Sequence, residues 1–186
     1  MLGTMLENKP PKIYFVSGIS GVGKSSTLVH LKEMLPLQSY DVRDLDERGV
    51  PDGGGLTWLK SETRHWLDVA KENARQNKST VITGFVNPEL FKDVYKPEHD
   101  IPAELILLHA SPEVFETRLR RRHPTPQDIK EMERMAGIPF ETFIENNKAF
   151  AGTFRSIFEK CGGHIIETDK KLPDEVAREV VKFILR

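Results

Sequence analysis

A glycine-rich octapeptide near the start of the chain has the residue types and spacing of a phosphate-binding loop. The segment Gly18–Ser25 (GISGVGKS) matches the pattern G-x-x-x-x-G-K-[ST] at every fixed position. Its glycines let the backbone curl tightly, so that successive N–H groups point at phosphate oxygens. Lys24 can then reach the β and γ phosphates of a nucleotide, and the Ser25 hydroxyl can ligate Mg²⁺. We expect nucleotide contacts from Gly18, Ser20, Gly21, Val22, Gly23, Lys24, Ser25 and Ser26.

The elements that flank this loop are those that can position it. The apolar run Ile13–Ser17 precedes the loop and is typical of a strand buried on both faces. A helix is predicted from about Lys24 to Leu35, where Pro36 stops it. A strand, a loop and a helix in this order are the context in which the motif binds phosphate, because the positive end of the helix faces the anion.

Two acids follow the next predicted strand, Tyr40–Val42. In extended chain, residues two apart face the same side, so Asp44 and Asp46 can both point toward the space beside the γ phosphate. There, one of them could assist Mg²⁺, with Asp44 as the candidate ligand, or take a proton from an acceptor hydroxyl. The same residue types also suit a solvated turn, and that alternative stays open.

Apolar runs and helical patterns alternate about five times along the chain. This alternation predicts an α/β layered fold with a parallel sheet. The length of 186 residues fits one domain, which we place at residues 12–186 after a disordered tail over residues 1–11. The five predicted strands are Ile13–Ser17, Tyr40–Val42, Thr80–Thr83, Leu105–His109 and His164–Glu167.

Composition excludes several classes of protein. The net charge of −1 favours neither nucleic-acid nor membrane binding, and no stretch approaches the roughly 20 apolar residues of a membrane span. A single cysteine, Cys161, cannot form an internal disulfide, and the chain starts without an apolar signal-peptide core. We therefore expect a cytoplasmic protein, and the sequence does not indicate its oligomeric state.

Three classes of nucleotide-binding protein compete at this point. A GTPase would carry an N-K-x-D-like segment late in the chain, which Thr168-Asp169-Lys170 does not match. A motor-type ATPase would place an acid at the end of an apolar strand, where this chain has Gly84 and His109. These absences favour a small-molecule kinase. A P-loop ATPase of another kind, or a nucleotide-binding regulatory protein without a small-molecule acceptor, is the alternative.

Four segments together resemble the small P-loop kinases of the nucleoside, nucleotide, shikimate and gluconate kinase group. The likeness extends over about Lys12 to Arg186. It implies a three-layer P-loop NTPase fold, with a five-stranded parallel sheet of order 2-3-1-4-5, helices on both faces and a small lid near residues 120–138. It also implies ATP as the phosphate donor, with Mg²⁺. The segments are Gly18–Ser26, Asp44–Asp46, Val81–Phe85 and Ser111–Arg122.

The resemblance also implies roles for single residues. Asp44 and Asp46 match the acids that contact the acceptor, and Gly84 matches the glycine that lines the acceptor pocket. Arg118 matches an arginine near adenine, while Arg121 or Arg122 would reach the phosphates, with Arg122 as our catalytic candidate. Asp169 lies in the segment Thr168–Lys171 that would pass beside the adenine. The chain lacks the glycine run of shikimate kinases, the acceptor signature of gluconate kinases and the longer, arginine-richer lid of adenylate-type kinases.

The acceptor-binding region is expected at roughly residues 44–77, with Gly53–Trp66 as its wall. Trp58 and Trp66 could stack on a base, and Arg64 between them could hold a phosphate. These residue types suit a nucleoside or nucleotide acceptor. Alternatively, Trp66 belongs to the core and Arg64 to the surface, because Trp66 lies on the apolar stripe of its helix and Arg64 does not.

Overall fold

Strands and helices alternate along the chain in the computed structural model, which describes residues 9–51 and 54–186. The strands are β1 (Ile13–Ser17), β2 (Tyr40–Asp44), β3 (Ser79–Thr83), β4 (Ala103–His109) and β5 (His164–Glu167). The helices are α1 (Lys24–Met34), α2 (Gly55–Arg75), α3 (Pro88–Val94), α4 (Pro112–Arg122), α5 (Pro126–Ala136), α6 (Phe140–Lys160) and α7 (Pro173–Ile184).

The strands form one sheet in the order β2-β3-β1-β4-β5, and each neighbouring pair is parallel. This order confirms the α/β fold and the strand arrangement that the resemblance implied. The connection from β1 to β2 goes to one edge of the sheet, and β4 lies on the other side of β1. Ligands of such sheets bind outside the carboxyl ends of the strands, at the point where the connections diverge. The loop after β1 lies at that point.

Helices cover both faces of the sheet, and β1 shows how the sequence divides the core. Ile13 and Phe15 belong to one buried cluster, which includes Leu67 of α2 and Phe91 of α3. Tyr14 and Val16 belong to the other, which α1, α4, α6 and α7 complete. Because alternate strand residues face opposite sides, a continuous apolar strand is what a sheet covered on both faces requires.

Several predicted bounds shift by one or two residues. β2 continues to Asp44, which is therefore the last strand residue and not part of the turn after it. α5 begins at Pro126 because the side chain of Thr125 caps its first turn. Residues 1–8 of the predicted tail lie outside the described residues. Within the ranges described, no helix combines the length and apolar character needed to cross a bilayer.

Candidate active site

The predicted phosphate-binding loop connects β1 to α1 at the carboxyl edge of the sheet. Gly21 and Gly23 have φ angles of 83° and 107°, a region that favours glycine. A Cβ on Gly18 would lie 2.6 Å from Val22 Cγ2 and 2.7 Å from the Leu108 carbonyl oxygen. No side chain of the described residues caps the start of α1. The amide groups there can therefore bind an anion.

Lys24, the first residue of α1, lies against this loop. Its Nζ donates to the carbonyl oxygens of Gly18, at 2.8 Å, and Ile19, at 2.9 Å. The pKa of Lys24 is lowered to about 8, mainly by burial and also by the charge of Arg122, although Asp46 and Asp44 act in the opposite direction. The Lys24 ammonium is thus held at the loop, within electrostatic reach of the predicted acids and the predicted catalytic arginine.

Asp44 and Asp46 lie at the end of β2 and in the turn that follows it. Asp44 Oδ1 accepts a hydrogen bond from the Asp46 backbone N–H at 3.0 Å, which fixes the start of the turn. Burial and the charge of Asp44 raise the pKa of Asp46, and Glu62 adds to this while Lys24 opposes it. The structure therefore brings Asp44, Asp46 and Lys24 close to one another.

Gly84 fixes this turn against the neighbouring strand. Leu45 is fully buried between the two acids, and its N–H donates to the Thr83 carbonyl oxygen at 2.7 Å. A Cβ on Gly84 would lie 2.2 Å from Leu45 Cβ, which is far inside van der Waals contact. The absence of a side chain at Gly84 therefore lets Leu45 approach β3, and this approach sets the positions of Asp44 and Asp46.

Arg118 connects the loop to the segment after β5. Its guanidinium donates to the Val22 carbonyl oxygen at 3.2 Å and to the Thr168 hydroxyl and carbonyl at 2.9 and 2.7 Å. Thr168 Oγ1 in turn donates to Val22 O at 3.1 Å. Asp169 accepts a hydrogen bond from the Ser111 N–H at 2.8 Å, next to the start of α4. Arg118 and Asp169 thus lie beside the loop, together with Thr168, the first residue of the segment that the resemblance places beside the adenine.

Arg64 does not lie with the other predicted site residues. It donates to both carboxylate oxygens of Asp100, at 3.1 and 2.7 Å, and to the Val94 carbonyl oxygen at 3.2 Å. The Asp100 side chain is 0% exposed and also pairs with Lys71. Asp100 precedes β4, at the amino edge of the sheet, so these contacts favour a structural role for Arg64 over the predicted acceptor contact.

The predicted acceptor wall divides into core and surface. The Trp66 side chain is buried in the α2 side of the core, and its Nε1 donates to the Leu45 carbonyl oxygen at 3.2 Å. Trp66 therefore holds the turn at Leu45 through this hydrogen bond, and its buried ring is not exposed for stacking on a base. Trp58 is partly buried against the same cluster. Gly53, where the predicted wall begins, lies outside the described residues.

A cavity of about 440 Å³ adjoins the phosphate-binding loop. Its size fits a small-molecule site. Its far wall is formed by α6, and no residue of that wall was predicted from the sequence as a site residue. Phe143 and Phe150 are seven residues apart, which places them on one face of α6 together with Asn147. The lining residues are Gly18, Ile19, Ser20, Lys24, Phe85, Ala136, Ile138, Phe143, Asn146, Asn147 and Phe150.

A second cavity, of about 510 Å³, lies at the opposite edge of the sheet, where the strands begin. Lys12, Tyr14, Tyr40 and Glu104 line it, and it contains none of the residues predicted to bind nucleotide or acceptor. The smaller cavity at the carboxyl edge is therefore the one that fits the chemistry of the loop.

The residues present fit Mg²⁺ bound together with a nucleotide. Mg²⁺ usually takes one or two carboxylates and substrate phosphates, and keeps several waters. Ser25 lies in the first turn of α1, and Asp44 lies near Lys24. Over residues 9–51 and 54–186, no cluster of three or more His, Cys, Asp or Glu side chains could form a metal site by itself. Ser25 and Asp44 could hold the ion only with help from phosphate oxygens.

Comparison with known proteins supports the fold. No family model and no curated protein matches the chain. Among solved structures, the chain is similar to a sugar kinase from Janibacter sp. HTCC2649, determined without ligand, at a TM-score of 0.52 and 18% sequence identity. The likeness covers 94% of this chain and 95% of that one. At this identity the similarity shows a shared fold and not a shared substrate.

Proposed function

We propose that this protein is an ATP-dependent kinase that transfers the γ-phosphate of ATP to a hydroxyl group of a small molecule. One observation carries the proposal: the structure groups Lys24 of the phosphate-binding loop with Asp44 and Asp46 at the carboxyl edge of the sheet. A site that only binds MgATP can use one acid for the ion, but it needs no second acid to act on an acceptor. A kinase needs both, because the acceptor hydroxyl must be oriented and deprotonated.

Different residues of the chain would bind the phosphates, the metal ion and the acceptor. The loop amides and Lys24 would hold the β and γ phosphates, with Ser25 and Asp44 on Mg²⁺, which would neutralise phosphate charge when bound. Asp46 would accept a hydrogen bond from the acceptor hydroxyl. Its raised pKa makes this carboxylate a better base than an ordinary aspartate.

In the transfer step, the acceptor oxygen forms a bond to the γ phosphorus as the bond to the β–γ bridging oxygen breaks. The hydroxyl proton passes to Asp46, and ADP leaves with the electron pair of the broken bond. Arg122, whose charge already acts on Lys24, would stabilise the negative charge that spreads over the transferred group. Arg118 would hold the loop against the segment at Thr168, beside the expected adenine position.

In this proposal, residues 12–186 form one kinase domain. The lid lies near residues 120–138, and the acceptor binds between the loop, Phe85 and α6. The acceptor is a small hydroxyl compound, and a nucleoside is one candidate. The chain's structural neighbour is named a sugar kinase, so a sugar is the other candidate class.

Phosphate transfer can be tested directly. The protein is incubated with Mg²⁺ and ATP labelled at the γ position, together with nucleosides, nucleotides, sugars and amino alcohols, and labelled products are separated. We expect transfer to one class of acceptor. Lys24→Ala should abolish it, whereas Lys32→Ala, an exposed lysine of the same helix, should leave it unchanged. Release of inorganic phosphate alone, across the whole panel, would favour a P-loop ATPase or a regulatory protein instead.

A further inference from the structure

Glu62 of α2 is a buried carboxylate whose contacts leave one oxygen without a partner. Its side chain is 9% exposed. Oε1 accepts a hydrogen bond from Arg48 Nη1 at 3.4 Å, whereas Oε2 is buried and has no hydrogen-bond partner among the described residues. Buried carboxylate oxygens are normally hydrogen-bonded, because removing them from water is costly. A donor from a bound molecule would satisfy Oε2.

The position of Glu62 relates it to the predicted acceptor site. Trp66 lies one helical turn further along α2, on the same face, and its Nε1 donates to the Leu45 carbonyl oxygen. Leu45 separates Asp44 from Asp46. Glu62 therefore faces the turn that carries the two acids, and its contact with Arg48, four residues after Asp44, places it against the same segment.

The charges around this turn are unfavourable for a second anion. Asp44, Asp46 and Glu62 contribute three carboxylates. Arg64, the cation that the sequence suggested for an acceptor phosphate, is held by Asp100. Arg48 is half exposed, and its 3.4 Å contact is long for a charge-assisted hydrogen bond. The phosphate of a phosphorylated acceptor would be repelled by these carboxylates, and neither Arg64 nor Arg48 is placed to offset the repulsion.

The cavity beside the loop after β1, whose lining does not include the three carboxylates, is also poor in cations. Among the described residues that line it, Lys24 is the only one with an ionisable side chain, and the donor phosphates require that lysine. The rest of the wall is mostly apolar, with Phe85, Phe143 and Phe150, and offers the carboxamides of Asn146 and Asn147. Such a surface suits an uncharged body with a few hydroxyl groups.

We propose that Glu62 is an acceptor-binding residue that accepts a hydrogen bond from a hydroxyl or ammonium group, and that the site thereby selects acceptors without a phosphate or carboxylate of their own. This inference rests on the proposed kinase function and narrows its acceptor. Nucleosides, sugars and amino sugars fit the site, whereas nucleotides and sugar phosphates do not.

Matched acceptor pairs test the inference. Transfer from MgATP is measured with adenosine against AMP, with glucose against glucose 6-phosphate, and with glucosamine. We expect kcat/KM to be at least tenfold higher for the member without phosphate. Glu62→Gln should raise the KM of that acceptor at least tenfold and leave the KM of ATP within twofold. Glu72→Gln, at an exposed glutamate of the same helix, is the control and should change neither constant.

The outcomes separate the two proposals. A preference for the phosphorylated member of a pair, or an unchanged acceptor KM in Glu62→Gln, overturns this inference and leaves the kinase proposal standing. Transfer to no acceptor at all overturns the kinase proposal, and this inference with it. The preference within a pair is a ratio measured on one preparation, so partial unfolding of a variant cannot imitate a change in selectivity.

Discussion

Replacing Gly84 with alanine should displace Asp44 and Asp46 from the predicted phosphate-binding loop, although it alters neither the acids nor the loop. The added Cβ would lie 2.2 Å from Leu45 Cβ. Ordinary contacts between carbon atoms are about 3.5–4.0 Å, so Leu45 must retreat by roughly 1.3–1.8 Å. Leu45 is fully buried and lies between Asp44 and Asp46, so the turn that carries both acids must move with it.

This displacement should lower both the stability of the protein and its catalytic rate. Overpacking of a core position typically costs about 1–3 kcal/mol of stability. Displacement of a catalytic group by about 1 Å can cost roughly a hundredfold in rate. We therefore expect Gly84→Ala to fold, to unfold at lower urea concentration, and to lose about a hundredfold in kcat with a smaller effect on the KM of ATP. The KM of ATP should change little because the loop after β1 keeps its own contacts.

The assay combines urea unfolding with steady-state kinetics at a temperature where the variant is folded. Gly152→Ala is the matched control, because Gly152 lies within α6 and a Cβ there would meet nothing within 4 Å. That variant should gain roughly 0.5–1 kcal/mol of stability and keep its kcat. A Gly84→Ala variant with normal kcat would refute the inference that Leu45 positions the acids, even if its stability fell.

Four further predictions concern charged residues. Bound phosphate favours the charged form of Lys24, whose pKa is about 8 in the free protein. ATP binding near pH 8.5 should therefore take up protons, and the affinity should fall as the pH rises. Titration calorimetry in two buffers measures proton uptake, and its absence would contradict this prediction. Although burial opposes it, the cations around Asp100 hold its pKa below the ordinary value, so its stabilising effect is present above about pH 4 and lost as pH falls. Asp100→Asn should therefore lower the free energy of unfolding by about 3–5 kcal/mol at pH 7 and by less at pH 3. Urea titrations at the two pH values measure both losses. An equal loss at both would show that the ion pair is not the source of the stability. Arg64→Lys should leave the acceptor KM within twofold, and a tenfold increase would restore Arg64 to the acceptor site. Arg118→Ala should raise the KM of ATP about tenfold or more, because the loop loses its link to the segment after β5, and an unchanged KM would show that this link is dispensable.

The sequence was sufficient for the parts of the fold that depend on local patterns. Ile13–Ser17 is apolar at successive positions, which indicates a strand covered on both faces, and the spacing in Gly18–Ser25 is specific to one loop conformation. The strand order is not contained in such patterns. The resemblance supplied it, and the structure confirms it.

The residues that sequence reasoning missed are those whose role depends on contacts between distant segments. Nothing in the spacing of α6 distinguishes Phe150, which lines the cavity, from Phe154, which is buried in the core. Arg64 looked available because Asp100, its partner, lies 36 residues further along the chain. No sequence pattern pointed to Glu62, and only its burial and its Oε2, which has no partner among the described residues, single it out.

The most direct test of the proposed function is the fate of the γ-phosphate. Phosphorus NMR can follow a reaction of the protein with MgATP and the best acceptor of the panel, with ADP measured in the same sample. We expect a phosphate monoester signal that grows in step with ADP and is absent from the reaction of Lys24→Ala. If inorganic phosphate grew in step with ADP instead, at the same rate with and without acceptor, the protein would be an ATPase and not a kinase.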